Sequence, residues 1–138
     1  MKRIAVIDGQ GGGIGGLIIK ALRERMGESI EIIALGTNST ATTAMLKARA
    51  NKGATGENAI VWNTPKVDMI AGPLSIILCN GMLGELTPRM AEAISSSPAK
   101  KFLLSLCQEQ VEVIGAAKEP LPHLIEIMVS KIKEESDV

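Results

Sequence analysis

The 138-residue chain has no tyrosine, a single histidine and two aromatic residues, Trp62 and Phe102. Side chains that usually move protons are therefore scarce, and reaction schemes built on a tyrosine are excluded. The core must be filled by aliphatic residues. Charge of one sign is also lacking, because fifteen Lys and Arg balance fifteen Asp and Glu. No chain-wide field then draws nucleic acid or a membrane surface, and neither is expected as a partner. The two cysteines, Cys79 and Cys107, lack the paired spacing that holds zinc or an iron–sulfur cluster. They read as ordinary thiols, and no metal site is expected. Long hydrophobic runs are missing too. The apolar run Ile4 to Ile7 is too short for a signal peptide, and the longest uncharged stretch, Met69 to Gly84, is broken by Pro73, Asn80 and three glycines. The expectation is a soluble cytoplasmic protein of one domain, with a disordered tail from Glu134 to Val138.

What the chain has in quantity is glycine, fourteen residues in all. Gly9, Gly11, Gly12, Gly13, Gly15 and Gly16 crowd into one short segment. Before them, Arg3 to Ile7 reads as a buried strand that stops at Asp8-Gly9. After them, apolar residues 14, 17, 18, 21 and 22 recur at helical spacing until Gly27 stops the helix. Ile30 to Leu35 supplies a second strand. Strand, glycine loop, helix and strand together have the length of a right-handed parallel crossover.

Further along, Thr37-Asn38-Ser39 supplies N-cap oxygens for an alanine-rich helix running to Gly53. Gly53 to Asn58 reads as a loop and Ala59 to Trp62 as a strand. Val67 to Ala71 and Ser75 to Cys79 read as two strands or one bent strand. Thr87-Pro88 caps a helix over Arg89 to Ser95. Lys101 to Leu106 and Val111 to Ile114 read as strands joined by four residues, too few for a helix, so an antiparallel edge hairpin is expected. A last helix opens at Pro122 with Leu121, Leu124, Ile125, Met128, Val129 and Ile132 on one stripe. The fold class is α/β, with helices on both sides of a mostly parallel sheet.

The glycine segment is the main functional signal. Between a strand and a helix, glycines permit positive φ and close approach of a ligand, and the free amides of the helix start favour a phosphate. Gly11, Gly13 and Gly16 fit the dinucleotide spacing, whereas Gly9, Gly13 and Gly15 fit the short-chain dehydrogenase spacing. The candidate ligand-binding residues are Asp8, Gly9, Gln10, Gly11, Gly12, Gly13, Ile14 and Gly15, with Gly36, Thr37 and Asn38 after the second strand and Asn80-Gly81 at a later strand end. An NAD(P)-like cofactor is the first expectation. The acidic residue that grips an adenine ribose is missing, because Gly36-Thr37-Asn38-Ser39 occupies its place. Hydroxyl and amide groups there suit a ribose hydroxyl, a 2′-phosphate or a mononucleotide. Asp8 either caps loop amides or repels a nearby anion. No Gly-Lys-Ser/Thr follows the glycines, which removes ATP hydrolysis of the Walker type. The short-chain dehydrogenase reaction is excluded by the lack of tyrosine.

The segments Ala5 to Gly15, Ala34 to Asn38, Gly53 to Val61 and Met82 to Pro88 resemble a family of short bacterial proteins known as a domain of unknown function. That resemblance implies a Rossmann-like fold and supplies no activity.

Four segments are expected to meet at the carboxyl ends of the strands: Asp8 to Gly16, Gly36 to Ser39, Gly53 to Asn58 and Asn80 to Glu85. Three functional readings follow. The first is a binding module for a nucleotide or phosphorylated ligand, acting as a sensor or accessory subunit. The second is a small enzyme using Asp8, Glu57 or Glu85 as acid and base. The third is a structural oligomer with a vestigial loop. Arg89 reads as a solvent-facing arginine or an anion contact, His123 as a surface residue, and Trp62 as core, interface or stacking platform. An apolar composition in a small domain also points to a homodimer or larger homo-oligomer.

Overall fold

A computed structural model describes residues 1–116 and 118–137. Five strands, β1 (Lys2–Asp8), β2 (Ile30–Gly36), β3 (Lys52–Thr55), β4 (Met69–Pro73) and β5 (Lys100–Leu104), form one sheet in the order β3-β2-β1-β4-β5. Every pairing is parallel. Among the described residues, five α-helices connect or follow them: α1 (Gly13–Met26), α2 (Ser39–Lys47), α3 (Glu57–Asn63), α4 (Pro88–Ser96) and α5 (Leu121–Ser136).

Alternation along the strands divides the core into two layers. Ile4 and Val6 of β1 with Ile30, Ile32 and Ala34 of β2 face α1, α2 and α5, where Ile18, Leu22, Met45, Met128 and Ile132 meet them. Ala5, Ile7, Ile33 and Leu35 face the opposite side, covered by Ile60 of α3 and Met90 and Ile94 of α4. Central strands buried on both faces explain why their sequences are continuous apolar runs. A buried staple locks α1 to the sheet. Arg23, 5% exposed, donates to the carbonyls of Arg49, Gly27 and Ile30 and to Asn51 Oδ1 at 2.7–3.1 Å.

The first crossover, α4 and the apolar stripe of α5 agree with the sequence reading. Five other segments differ. Ala59 to Trp62, expected as a strand, is helical within α3, because a four-residue apolar run carries no period that separates helix from strand. The segment read as the end of a long helix and a loop instead holds a break and β3. Helix α2 stops at Lys47, Arg49 takes φ +85°, and Asn51 donates to Ile32 O, setting Lys52–Thr55 beside β2. Ser75 to Cys79 is not a strand. Pro73 closes β4 and the chain turns into a 3-10 helix at Leu74–Ile77. The antiparallel hairpin is absent among the described residues: 111–114 is irregular, and β5 pairs with β4 in parallel. Val111, Val113 and Ile114 are exposed there, so burial gives that run no reason to extend a sheet. Helix α5 continues through Ser136, beyond the expected start of a disordered tail, and Val138 lies outside the described residues. Among the described residues no helix is long and apolar enough to cross a membrane.

Candidate ligand-binding crevice

The strand order reverses between β1 and β4, since β1 continues to β2 on one side while β4 continues to β5 on the other. Loops leaving the carboxyl ends of these two strands diverge and leave a crevice, the usual ligand position in open parallel sheets. A cavity of about 200 Å³ lies there. Asp8, Gln10 and Ile14 come to it from the first crossover, and Pro73 and Ser75 from the end of β4. Met82 closes one side, and Leu106, Cys107 and Gln108, which follow β5, close another.

Asp8 ends β1 and is 5% exposed. Its Oδ1 accepts the Gly9 amide at 2.8 Å and its Oδ2 accepts the Gly15 amide at 2.7 Å. Burial pushes its pKa above the ordinary carboxylate value, the Gly15 and Gly9 amides oppose that rise, and the charge of Glu85 adds to it. Of the two alternatives for Asp8, capping is therefore the one observed. Glu85 serves the next part of the loop. Its Oε1 accepts the Gln10 amide at 2.8 Å, Thr37 Oγ1 at 2.7 Å and Asn38 Nδ2 at 3.0 Å. The Gln10 amide, with the Thr37 and Asn38 side chains, holds its pKa below the usual value against a partial desolvation cost.

These two carboxylates already occupy much of what a phosphate would use. Among the described residues, the amides of Gly11 and Gly13 have no hydrogen-bond acceptor in the protein. The glycines divide in the same way. A Cβ on Gly9 would lie 2.5 Å from Thr37 Oγ1 and 2.9 Å from Glu85 Oε1. On Gly15 it would lie 2.6 Å from Met45 Sδ and 3.0 Å from Asp8 Cβ. Gly12 takes φ +73° and abuts the Ala41 backbone, and Gly36 is pressed against the backbone of Asn38 and Thr42 at 2.7 Å. These four serve packing. Gly11 and Gly13 face open space.

The remaining predicted residues separate from the cavity. Thr37 and Asn38 are committed to Glu85, and Asn38 also caps α2 through the Ala41 amide. Asn80 and Gly81 belong to a tight turn beside the crevice in which Asn80, Met82 and Leu83 all take positive φ. Gly53 to Asn58 sits on the β3 edge, two strands from β1. Glu57 accepts Thr87 Oγ1 at 2.6 Å and pairs with Arg89 at 3.6 Å, so it ties α3 to α4 and does not form an acid/base pair with Glu85. His123 is exposed against Glu119, and Trp62, 60% exposed, lies under the Lys66 ammonium.

Sequence reasoning missed the wall opposite Asp8. Glu109 accepts Ser75 Oγ at 2.7 Å and the Met82 amide at 3.3 Å, which pins the segment after β5 across the crevice. Gln108 Nε2 reaches Gln10 Oε1 at 3.4 Å. The signal that pointed there was weak: Cys107 to Gln110 read only as a short connection, and the apolar residues after it drew the reading toward a hairpin.

No curated protein is significantly similar to the chain. Among solved structures, the fold is similar to a dodecameric FMN-dependent UbiX-like decarboxylase from Escherichia coli O157:H7, with a TM-score of 0.50 and 15% identity. That match covers 100% of this chain and 95% of the other. At this identity the likeness concerns the α/β architecture alone. Residues 3–137 match the family described as a domain of unknown function (DUF3842), and the chain belongs to that family.

Proposed function

We propose that the protein binds a compact nucleotide-type small molecule in the β1/β4 crevice and acts as a binding module. The observation that carries this reading is a cavity at the strand-order reversal, next to a helix start where Gly11 and Gly13 keep unpaired amides. Its size sets the scale of the ligand. An apolar cavity of roughly 150 Å³ takes benzene, so about 200 Å³ here suits one ring system. A mononucleotide with a single phosphate on the two amides fits that better than NAD(P). The FMN-dependent neighbour supports a mononucleotide on grounds of fold alone. Asp8 lines the cavity and is the carboxylate best placed to touch a ligand, whereas Glu57 and Glu85 are committed to the protein.

Native mass spectrometry of freshly purified protein, followed by calorimetry with FMN, AMP, GMP, UMP and NADP, tests the reading. A retained or titratable mononucleotide is the expected result, and no binding of any of them at millimolar concentration overturns it. Self-association belongs to the same proposal. Leu83, which follows the crevice residue Met82, is 93% exposed and Ile114 is 86% exposed, and burial between subunits would remove both from water. Sedimentation at micromolar concentration should give a dimer or larger, and a monomer rejects that part.

A further inference from the structure

Resting on the binding reading above, we propose that the crevice receives the ring of the ligand, an uncharged lactam-type heterocycle presenting a ring N–H beside a carbonyl. Asp8 accepts that N–H, Gln10 donates to the carbonyl, and the phosphate stays outside. Among the described residues, the cavity wall contains no lysine, arginine or histidine. Three carboxylates stand around it instead: Asp8 in the wall, Glu85 behind the loop and Glu109 on Ser75. A phosphate drawn into this space would meet three like charges without a counter-cation. The wall is otherwise apolar, through Ile14, Pro73, Met82 and Leu106, which suits the faces of a flat ring.

The polar groups specify an edge. Each Asp8 oxygen already accepts one backbone amide and the Ile14 amide also stabilises the carboxylate, yet a carboxylate offers about four acceptor sites, which leaves room for one more donor. The remaining capacity accepts and cannot donate while Asp8 is ionised. Gln10 lines the same cavity, its carboxamide meets that of Gln108 at 3.4 Å, and a carboxamide has two N–H donors, one of which can serve a ligand carbonyl. An acceptor beside a donor matches the N–H and C=O of guanine, uracil or the flavin pyrimidine ring. Adenine has no ring N–H on that edge: its N1 is unprotonated and repelled by an ionised carboxylate, so it reaches Asp8 only by shifting to present its exocyclic amino group.

Calorimetry on the full chain with guanosine, uridine, riboflavin and adenosine, none carrying phosphate, reads this directly. At least one lactam nucleoside should bind, adenosine should bind about tenfold or more weakly, and methylation of the ring N–H should cost a similar factor. The methylated probe uses the wild-type protein, so the result does not depend on how a variant folds. Asp8→Asn, checked for a cooperative melt, should abolish the preference over adenosine. If nucleotides bind but the corresponding nucleosides do not, or if the methylated ring binds equally well, the orientation is wrong while the binding reading stands. If neither nucleotides nor nucleosides bind, both fail.

Discussion

Gly13 and Gly15 occupy the same turn of α1, yet alanine at each should move stability in opposite directions. Both substitutions remove the same excess of backbone freedom from the unfolded chain and add the same helix propensity, about 0.5–1 kcal/mol in favour of alanine. Differences between the two variants therefore report the folded state. At Gly13 the added Cβ meets nothing within 4 Å, so the gain survives and the melting temperature should rise by about 2–4 °C. At Gly15 the Cβ would lie 2.6 Å from Met45 Sδ, a side chain with no solvent exposure, and 3.0 Å from Asp8 Cβ on the end of β1. Overpacking of this kind costs about 1–3 kcal/mol, which exceeds the propensity gain. Gly15→Ala should therefore be destabilised by about 0.5–2 kcal/mol in urea denaturation. A Gly15→Ala protein as stable as Gly13→Ala would refute the division of the loop into packing glycines and open ones. On the binding side, Gly13→Asp should leave the fold intact, since a carboxylate suits a helix start. It should weaken any phosphate-bearing ligand strongly, and unchanged FMN affinity in a nucleotide-binding wild type would remove the phosphate from Gly13.

The two loop carboxylates should titrate in opposite senses. Asp8, with a raised pKa, contributes stability that is complete below its unfolded value near 3.8 and is lost as pH rises through the folded value. Glu85, with a lowered pKa, contributes stability present above its unfolded value near 4.5 and lost as pH falls through the folded one. The stability of Asp8→Asn relative to wild type should therefore fall on acidification, and that of Glu85→Gln should rise, both measurable by urea melts across pH 3–7. Arg23→Leu strips hydrogen bonds from three carbonyls and Asn51 at the base of α1, and should cost about 3 kcal/mol or more; a loss below 1 kcal/mol contradicts the staple. Glu109→Ala should release the segment after β5, seen as faster amide hydrogen exchange over 105–114 with the central strands unchanged.

Which features were legible in the sequence follows from how local their causes are. The unit β1–α1–β2 is written in adjacent residues: a doubly buried apolar run, glycines where the backbone must turn, and a helical stripe ending at Gly27. Strand β3 was not legible. As an edge strand with Lys52 and Gly53 exposed, it carries no hydrophobic pattern, and its place is set by backbone pairing with β2. Missing it turned α3 into an apparent strand, although a parallel crossover to β4 requires a helix there. The site divides likewise. Asp8, Gln10 and Ile14 were visible as loop residues, whereas Ser75, Leu106 and Gln108 reach the same cavity only because β4 docks beside β1 and β5 beyond it. Glu85 was visible as a charge. Gln10, Thr37 and Asn38 were visible as site candidates in segments expected to meet that of Glu85, but their role was not, since hydrogen bonds to one internal carboxylate leave no mark in the sequence.

A glycine loop attracts phosphate because its amides lack partners, and here the chain supplies two carboxylates as internal partners. Asp8 takes the amides of Gly9 and Gly15 and Glu85 takes that of Gln10, so much of the loop is satisfied without a ligand and the amides of Gly11 and Gly13 are what is left over. That arrangement leaves two unlike environments around Asp8. Gly11 and Gly13 keep bare amides and lie outside the cavity wall, while Asp8, Gln10 and Ile14 line an apolar space with one acceptor edge. A ligand bearing both an anion and a flat polar ring therefore has one favourable orientation, because exchanging its ends would set the phosphate against Asp8 and the ring in water. On this reading the loop glycines mainly shape the fold, and ligand selectivity rests with Asp8, which a glycine-spacing motif does not contain.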